Sequence, residues 1–241
     1  MPFRRLPDTD AGRLLALDTA NAKVQSLPAG GSVLSAAVVA RLAAALPQFQ
    51  NEVGEAGVAL AAQTQATGAE DTQEGRTRMW TSHFYQTLNL AIARGVIAAS
   101  TRALYQLDVS DDSLPEMGTE AELALWAGRV SSGEAARVAA GGTLIPFPTA
   151  AEVAAELTSY NTLRAEQSNR RDTYDDELGD VAALRPMIDL LIKDIWDEVE
   201  FAFRHETAPS RRAKAREYGV VYVSRPGEPV EPVPTPPTPP A

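Results

Sequence analysis

The side chains that most often carry out chemistry in proteins are scarce in this sequence. It contains no Cys and only two His, His83 and His205. Without Cys it has no disulfide, no thiol nucleophile and no Cys-ligated zinc or iron–sulfur cluster. A di-iron site in a helical bundle needs Glu-x-x-His motifs, but Trp80 and Ala202 stand three residues before the two histidines. We therefore predict no catalytic, metal-binding or cofactor-binding residue and no cofactor.

No segment matches a phosphate-binding or hydrolase motif. Residues 141–143 (Gly-Gly-Thr) lack the Lys and the spacing of a P-loop. Residues 30–32 (Gly-Gly-Ser) have the composition of an N-cap turn, although free N–H groups there could also bind an anion. Neither G-x-S-x-G nor H-E-x-x-H occurs. An enzyme would need a site of dispersed carboxylates with Tyr or Trp residues, which no motif would reveal.

The charge of the chain restricts its partners. Asp and Glu number 32 against 22 Lys and Arg, which gives a formal net charge of -10 and argues against general binding of a phosphate backbone. Eleven acidic and three basic residues fall within 172–206. The acidic residues at 189–200 mostly avoid the apolar stripe of their segment, so we expect a solvated outer face rather than a cation site.

Composition and hydropathy predict a helical protein without a membrane span. The chain is 44% hydrophobic but only 6% aromatic, which is typical of closely packed helices rather than of a β-sandwich. No stretch reaches the ~18 consecutive apolar residues of a membrane span. The basic N-terminus (MPFRRLPDTD) is not followed by the apolar region of a signal peptide. We expect a cytoplasmic protein, with export by a non-signal route left open.

The spacing of apolar residues predicts an all-α, four-helix-bundle-like fold with short accessory helices. Two long antiparallel helical hairpins are expected at about 48–94 and 150–205, with polar connections near residues 67–68 and 179. The predicted domains are an extended segment 1–7, a helical bundle 8–207, a basic helix plus strand 208–225, and a Pro-rich tail 226–241. The clearest apolar stripe comprises Leu184, Ile188, Leu191, Ile195 and Val199. The predicted capping boxes are Thr119 with Glu122, Ser131 with Glu134, and Thr149 with Glu152.

The C-terminal part of the chain carries the residues that we expect to contact other proteins. Residues 220–223 (Val-Val-Tyr-Val) predict a strand, whose partner is either residues 2–6, in a minimal two-stranded β element, or another chain. Residues 226–241 hold eight of the 17 prolines and should be polyproline-like. The predicted interaction residues are Arg211, Arg212, Lys214, Arg216, Val221, Tyr222, Val223, Pro234, Pro236 and Pro237.

The basic segment 210–216 (SRRAKAR) is small and lacks the interleaved aromatic residues of a nucleic-acid site. Binding of nucleic acid is therefore not expected. The segment should instead pair with the acidic helix of its own chain or of a neighbouring subunit.

Three segments resemble a group of uncharacterised bacterial helical-bundle proteins. They are residues 16–20 (ALDTA), 191–203 (LIKDIWDEVEFAF) and 215–223 (AREYGVVYV). The resemblance runs through most of residues 3–225. The group has no assigned activity, so the resemblance implies only that the helical body and the C-terminal strand belong together.

These observations predict a non-enzymatic structural or protein-interaction subunit of a homo- or hetero-oligomeric assembly. The partner would be a second copy or another protein, bound through the C-terminal strand and the Pro-rich tail. Two alternatives remain open: an enzyme with a carboxylate site outside any motif, or a small-ligand-binding bundle with a pocket around Trp80, Trp126 and Trp196.

Overall fold

The computed structural model describes residues 2–28, 30–225 and 227. It confirms the all-α class, because 73% of these residues are helical and they form six helices and one two-stranded sheet. No helix in these ranges is long and apolar enough to cross a membrane. In chain order the elements are β1 (Phe3–Arg4), α1 (Asp10–Gln25), α2 (Ala36–Ala93), a 3₁₀ helix (Ala99–Tyr105), α3 (Glu120–Ala139), α4 (Ala150–Ala202), α5 (Ala208–Arg216) and β2 (Tyr222–Val223).

The chain divides into two compact units. The first unit comprises Met1–Val58 and Asp175–Ala241, and the second comprises Ala59–Tyr174. The first unit is therefore discontinuous in sequence, whereas the second is one continuous segment. Each unit has a hydrophobic core of its own.

The core of the first unit is built from α1, the first part of α2, the last part of α4, and α5 with the residues that follow it. The predicted apolar stripe of the last long helix lies in this core, where Ile188, Leu191, Ile195 and Val199 are buried. Burying one such side chain stabilises a fold by about 1.5–3 kcal/mol. Other members of the core are Leu17, Leu42, Phe49, Trp196 and Tyr218.

The core of the second unit is rich in aromatic rings. Phe84 and Tyr85 on α2 pack against Tyr105 at the end of the 3₁₀ helix, with ring centroids 5.8 and 6.3 Å apart. These separations lie in the range of favourable ring contacts. Buried residues of α3, α4 and the segment between them complete the cluster: Ala127, Val130, Ile145 and Val153.

Each segment predicted to be a hairpin is instead one continuous helix. α2 passes through residues 67–68 and α4 through residue 179 without a turn. A Gly inside a helix costs only about 1 kcal/mol relative to Ala, and polar side chains near residues 67–68 bind across helices. Gln73 donates from Nε2 to the carboxylate of Glu156 on α4 at 2.6 Å, and the Thr77 hydroxyl lies 3.1 Å from the carbonyl oxygen of Glu156. The polar stretch therefore holds two helices together and does not mark a turn.

Two of the predicted capping boxes are confirmed. At the start of α3 the Glu122 N–H donates to the Thr119 hydroxyl, and the Thr119 N–H donates to the Glu122 carboxylate at 2.9 Å. Thr149 and Glu152 make the same reciprocal pair at the start of α4. Because the first N–H groups of a helix have no partner inside the helix, these bonds define where the two helices begin.

Candidate functional site

The strands at the two ends of the described chain pair with each other in an antiparallel sheet. Phe3 lies opposite Val223, and the Arg5 N–H donates to the Val221 carbonyl at 3.1 Å. Of the two predicted partners for the C-terminal strand, the structure contains the N-terminal segment of the same chain. The strand itself is shorter than predicted and covers Tyr222–Val223.

One face of this terminal sheet packs on α4. The Arg4 guanidinium forms an ion pair with Asp197, with Nη1 at 2.7 Å from Oδ1. The Tyr222 hydroxyl donates to Glu200 Oε1 at 2.5 Å. Burial and this bond to Glu200 raise the pKa of the Tyr222 phenol, so the hydroxyl stays protonated and remains a donor. These contacts fix the inner face of the terminal sheet.

The outer face of the terminal sheet carries exposed apolar side chains beside the charged Arg5, which pairs with Val221. Because side chains alternate along a strand, Phe3 and Val221 project away from the face that carries Arg4 and Tyr222. Phe3 is 45% exposed and Val221 is 46% exposed, and the guanidinium of Arg225 lies 6.0 Å from the Phe3 ring centroid. Phe3 is not among the predicted interaction residues, because a five-residue segment without periodicity does not reveal which face it presents.

The basic helix α5 belongs to the first unit and is not an appendage. Ala215 on α5 is buried, as are Tyr218 and Val220 just after it, and all three belong to the core of this unit. A helix of nine residues is too short to be stable alone, and here the core of its own chain supplies the packing.

The four predicted basic residues differ in their surroundings. Arg212 is buried, and Lys214 forms an ion pair with Glu206 inside the acidic segment 172–206. The guanidinium of Arg216 lies 5.5 Å from the ring of a β2 tyrosine. Arg211 is partly exposed. The segment therefore does not form one exposed basic patch.

Two acidic residues of α4 that the sequence predicts on a solvated outer face bind residues of other elements. Asp189 accepts from the Arg13 guanidinium at 2.7 and 3.1 Å, in a two-point contact with α1. Glu198 accepts from the backbone N–H and the hydroxyl of Ser35, both at 2.7 Å, just before α2. These carboxylates join α4 to neighbouring elements, and their partners are too distant in sequence for periodicity to reveal them.

One group of three carboxylates among the described residues could share a cation. Oxygen atoms of Glu52, Glu177 and Asp180 all lie within 4.8 Å of one another. Burial, together with the charges of Glu55 and Asp180, raises the pKa of Glu177. Exposed acidic groups of this kind are common in proteins without an ion, and no further feature of the structure points to a ligand here.

The second unit contains a buried charged network that the sequence does not predict. Glu134 accepts from Arg137 Nε at 2.9 Å and Nη2 at 2.7 Å, from the Tyr105 hydroxyl at 2.5 Å and from the Ile145 N–H at 2.8 Å. The predicted capping box of Ser131 and Glu134 is wrong, because both residues lie inside α3 and the Glu134 carboxylate is buried in this network.

The protonation states of the network follow from its contacts. Burial alone would raise the pKa of Glu134, but the bonds from Arg137, Tyr105 and Ile145 outweigh it and lower the pKa below the usual 4.5. Burial, together with the bond to Glu134, raises the pKa of Tyr105. At neutral pH the carboxylate is charged and the phenol is a donor. A carboxylate that already accepts four hydrogen bonds stabilises the fold and is not placed to act as a general base.

The three Trp residues belong to two different hydrophobic cores. Trp80 and Trp126 pack against the core of the second unit, whereas Trp196 is buried in the core of the first. The pocket predicted around these three residues stays a prediction. Pro234, Pro236 and Pro237 lie outside the described residues.

Comparison with known proteins adds no functional assignment. No protein-family model, curated protein or solved structure matches this chain. The function must be inferred from the geometry of the chain itself.

Proposed function

We propose that this chain is a non-enzymatic structural or protein-interaction subunit that associates through the terminal sheet, and that the partner is a second copy of the chain. The observation that carries this proposal is the pair of apolar side chains on the outer face of the sheet, since Phe3 and Val221 are each nearly half exposed. Apolar side chains clustered on a surface indicate a contact site more often than single ones do.

The open edges of the sheet support the same proposal. The sheet has two strands among the described residues, so each strand pairs on one side only, and open edges attract further strands. Two copies of β2 can pair antiparallel about a two-fold axis, which gives a self-complementary interface. A two-residue strand offers few backbone bonds, so contact between the Phe3 and Val221 side chains must supply most of the affinity.

The Pro-rich tail would add to this interface. Residue 226 follows β2 by three positions in the sequence, so the tail begins next to the proposed contact. Polyproline segments lose little conformational entropy on binding and fit apolar grooves. In this proposal Pro234, Pro236 and Pro237 contact the second copy together with Val221 and β2.

The native mass of the full chain tests the proposal, with Val221→Lys as the disrupting variant. A matched control is Leu15→Lys, which introduces the same charge in place of an apolar residue of α1 that is 69% exposed. We expect a dimer for the wild type and for Leu15→Lys, a monomer for Val221→Lys, and the same circular dichroism for all three. A wild-type chain that is monomeric at every concentration, or a dimer that Val221→Lys leaves intact, would contradict the proposal.

The role of the tail needs a separate truncation. Deleting residues 208–241 is unsuitable, because it removes Tyr218 and Val220 from the core of the first unit. Ending the chain after Arg225 keeps the core and the terminal sheet. We expect this shorter chain to dimerise more weakly than the full chain, and equal dimerisation would restrict the interface to the sheet.

A further inference from the structure

The second unit contains a solvent-open cavity of about 540 Å³ that none of the predicted site residues accounts for. It lies beside the end of α2, the 3₁₀ helix and the segment that follows α3. This volume lies within the range of about 300–1,000 Å³ for pockets that bind small molecules, and the lining is both apolar and polar. The residues that line this cavity include Ala91, Val96, Ile97, Leu104, Arg137 and Gly142.

Arg137 provides the charged group of the cavity. Its side chain is only 7% exposed, and two of its nitrogens are engaged: Nε with Glu134 and Tyr105, and Nη2 with Glu134 and the Thr143 carbonyl. Among the described residues, Nη1 has no hydrogen-bond partner. A guanidinium carries two N–H bonds on this nitrogen, so two donors of a buried cation remain available to a ligand.

Gly142 keeps the space beside these donors open. A Cβ at this position would stand 2.9 Å from Nη1 of Arg137 and 2.9 Å from its backbone carbonyl oxygen, which is closer than nonbonded atoms approach. Both residues line the cavity, so the open nitrogen and the missing side chain lie at the same wall.

The charge of Glu134 decides which acceptor fits. Its carboxylate makes a two-point contact with Arg137, at 2.7 and 2.9 Å, and neutralises the guanidinium. A second carboxylate brought to Nη1 would meet the field of Glu134, whereas a neutral oxygen would not. We propose that this cavity binds a small molecule with an apolar body and a neutral carbonyl or amide oxygen, which accepts from Nη1 of Arg137.

Titration calorimetry with nonan-2-one tests this proposal on the full chain. Nonanoate at neutral pH is the matched ligand, because it has the same chain length and a charged acceptor. We expect the ketone to bind with a stoichiometry of one and the carboxylate to bind more weakly. Failure of the wild type to bind the ketone, or tighter binding of nonanoate, would overturn the proposal.

Three variants locate the binding. Ala91→Phe places a ring in the cavity and should abolish binding, whereas Ala93→Phe makes the same change at an exposed position of α2 that does not line the cavity. Arg137→Lys keeps the charge next to Glu134 but removes Nη1, and should weaken binding about tenfold or more. Equal binding by Ala91→Phe and wild type would show that the ketone binds elsewhere and would refute the assignment even if Arg137→Lys does not fold.

Discussion

Replacing Gly133 by Ala tests the packing of the 3₁₀ helix on α3. Gly133 lies inside α3, and a Cβ there would stand 2.2 Å from Cδ1 and 2.6 Å from Cγ of Tyr105. Carbon atoms in contact are about 3.5–4.0 Å apart, so the ring would have to move by more than an ångström. The Tyr105 ring is fully buried, and its hydroxyl binds Glu134. The ring therefore cannot move without losing that bond.

One stabilising and two destabilising contributions determine how much Gly133→Ala changes the free energy of unfolding. Ala stabilises a helix interior by about 1 kcal/mol relative to Gly. Overpacking a core costs about 1–3 kcal/mol, and losing a hydrogen bond to a charged group costs about 1.5–3 kcal/mol. The steric and hydrogen-bond losses exceed the helix propensity, so we expect Gly133→Ala to lower the free energy of unfolding by about 2–4 kcal/mol.

Gly128 on the same helix provides the control. A Cβ at Gly128 would meet nothing within 4 Å, so Gly128→Ala should stabilise the chain by up to about 1 kcal/mol. Urea unfolding followed by far-ultraviolet circular dichroism measures both variants. A Gly133→Ala chain as stable as the wild type would refute the packing of Tyr105 on α3. If the packing is correct, the cost of Gly133→Ala should also shrink in a Tyr105→Leu background.

Three further changes probe other parts of the fold. Ile195→Asp places a carboxylate in the core of the first unit and should cost roughly 3 kcal/mol or more; an unchanged melting temperature would contradict the burial of that side chain. The folded-state pKa of Glu134 is lowered, so its contribution to stability is complete above pH 4.5 and is lost as pH falls through the folded pKa. Glu134→Gln should reduce the stability that is lost as pH falls through this range. If the variant loses as much stability in acid as the wild type, other groups cause the loss. Thr119→Ala should lower stability by about 1 kcal/mol in thermal unfolding, whereas Thr158→Ala, whose hydroxyl donates to the Ala154 carbonyl of its own helix, should not.

The helical class and the core of the last long helix could be predicted because both depend on local spacing. Ile188 and Ile195 recur at helical intervals, and that pattern requires one buried face whatever the helix packs against. The start of α3 could be predicted for the same reason, since the bonds between Thr119 and Glu122 close within one turn.

The features that the sequence does not predict depend on residues far apart in the chain. The pair Ser131 and Glu134 has the same spacing as a capping box, and what makes Glu134 different is Tyr105, 29 residues away. The continuity of α2 through residues 67–68 depends on contacts with Glu156, which lies about 80 positions further along. A local turn signal cannot report that such a partner exists.

The discontinuous first unit has a consequence for synthesis on the ribosome. Residues 1–58 emerge before residues 175–225, which supply the other half of their core, have been translated. Leu17, Leu42 and Phe49 must therefore remain without their final packing while the continuous second unit is made, and apolar surface exposed in this way promotes aggregation. Nascent chains stalled between the two units should accordingly bind chaperones through the N-terminal segment, whereas the second unit can fold as soon as residue 174 has left the exit tunnel.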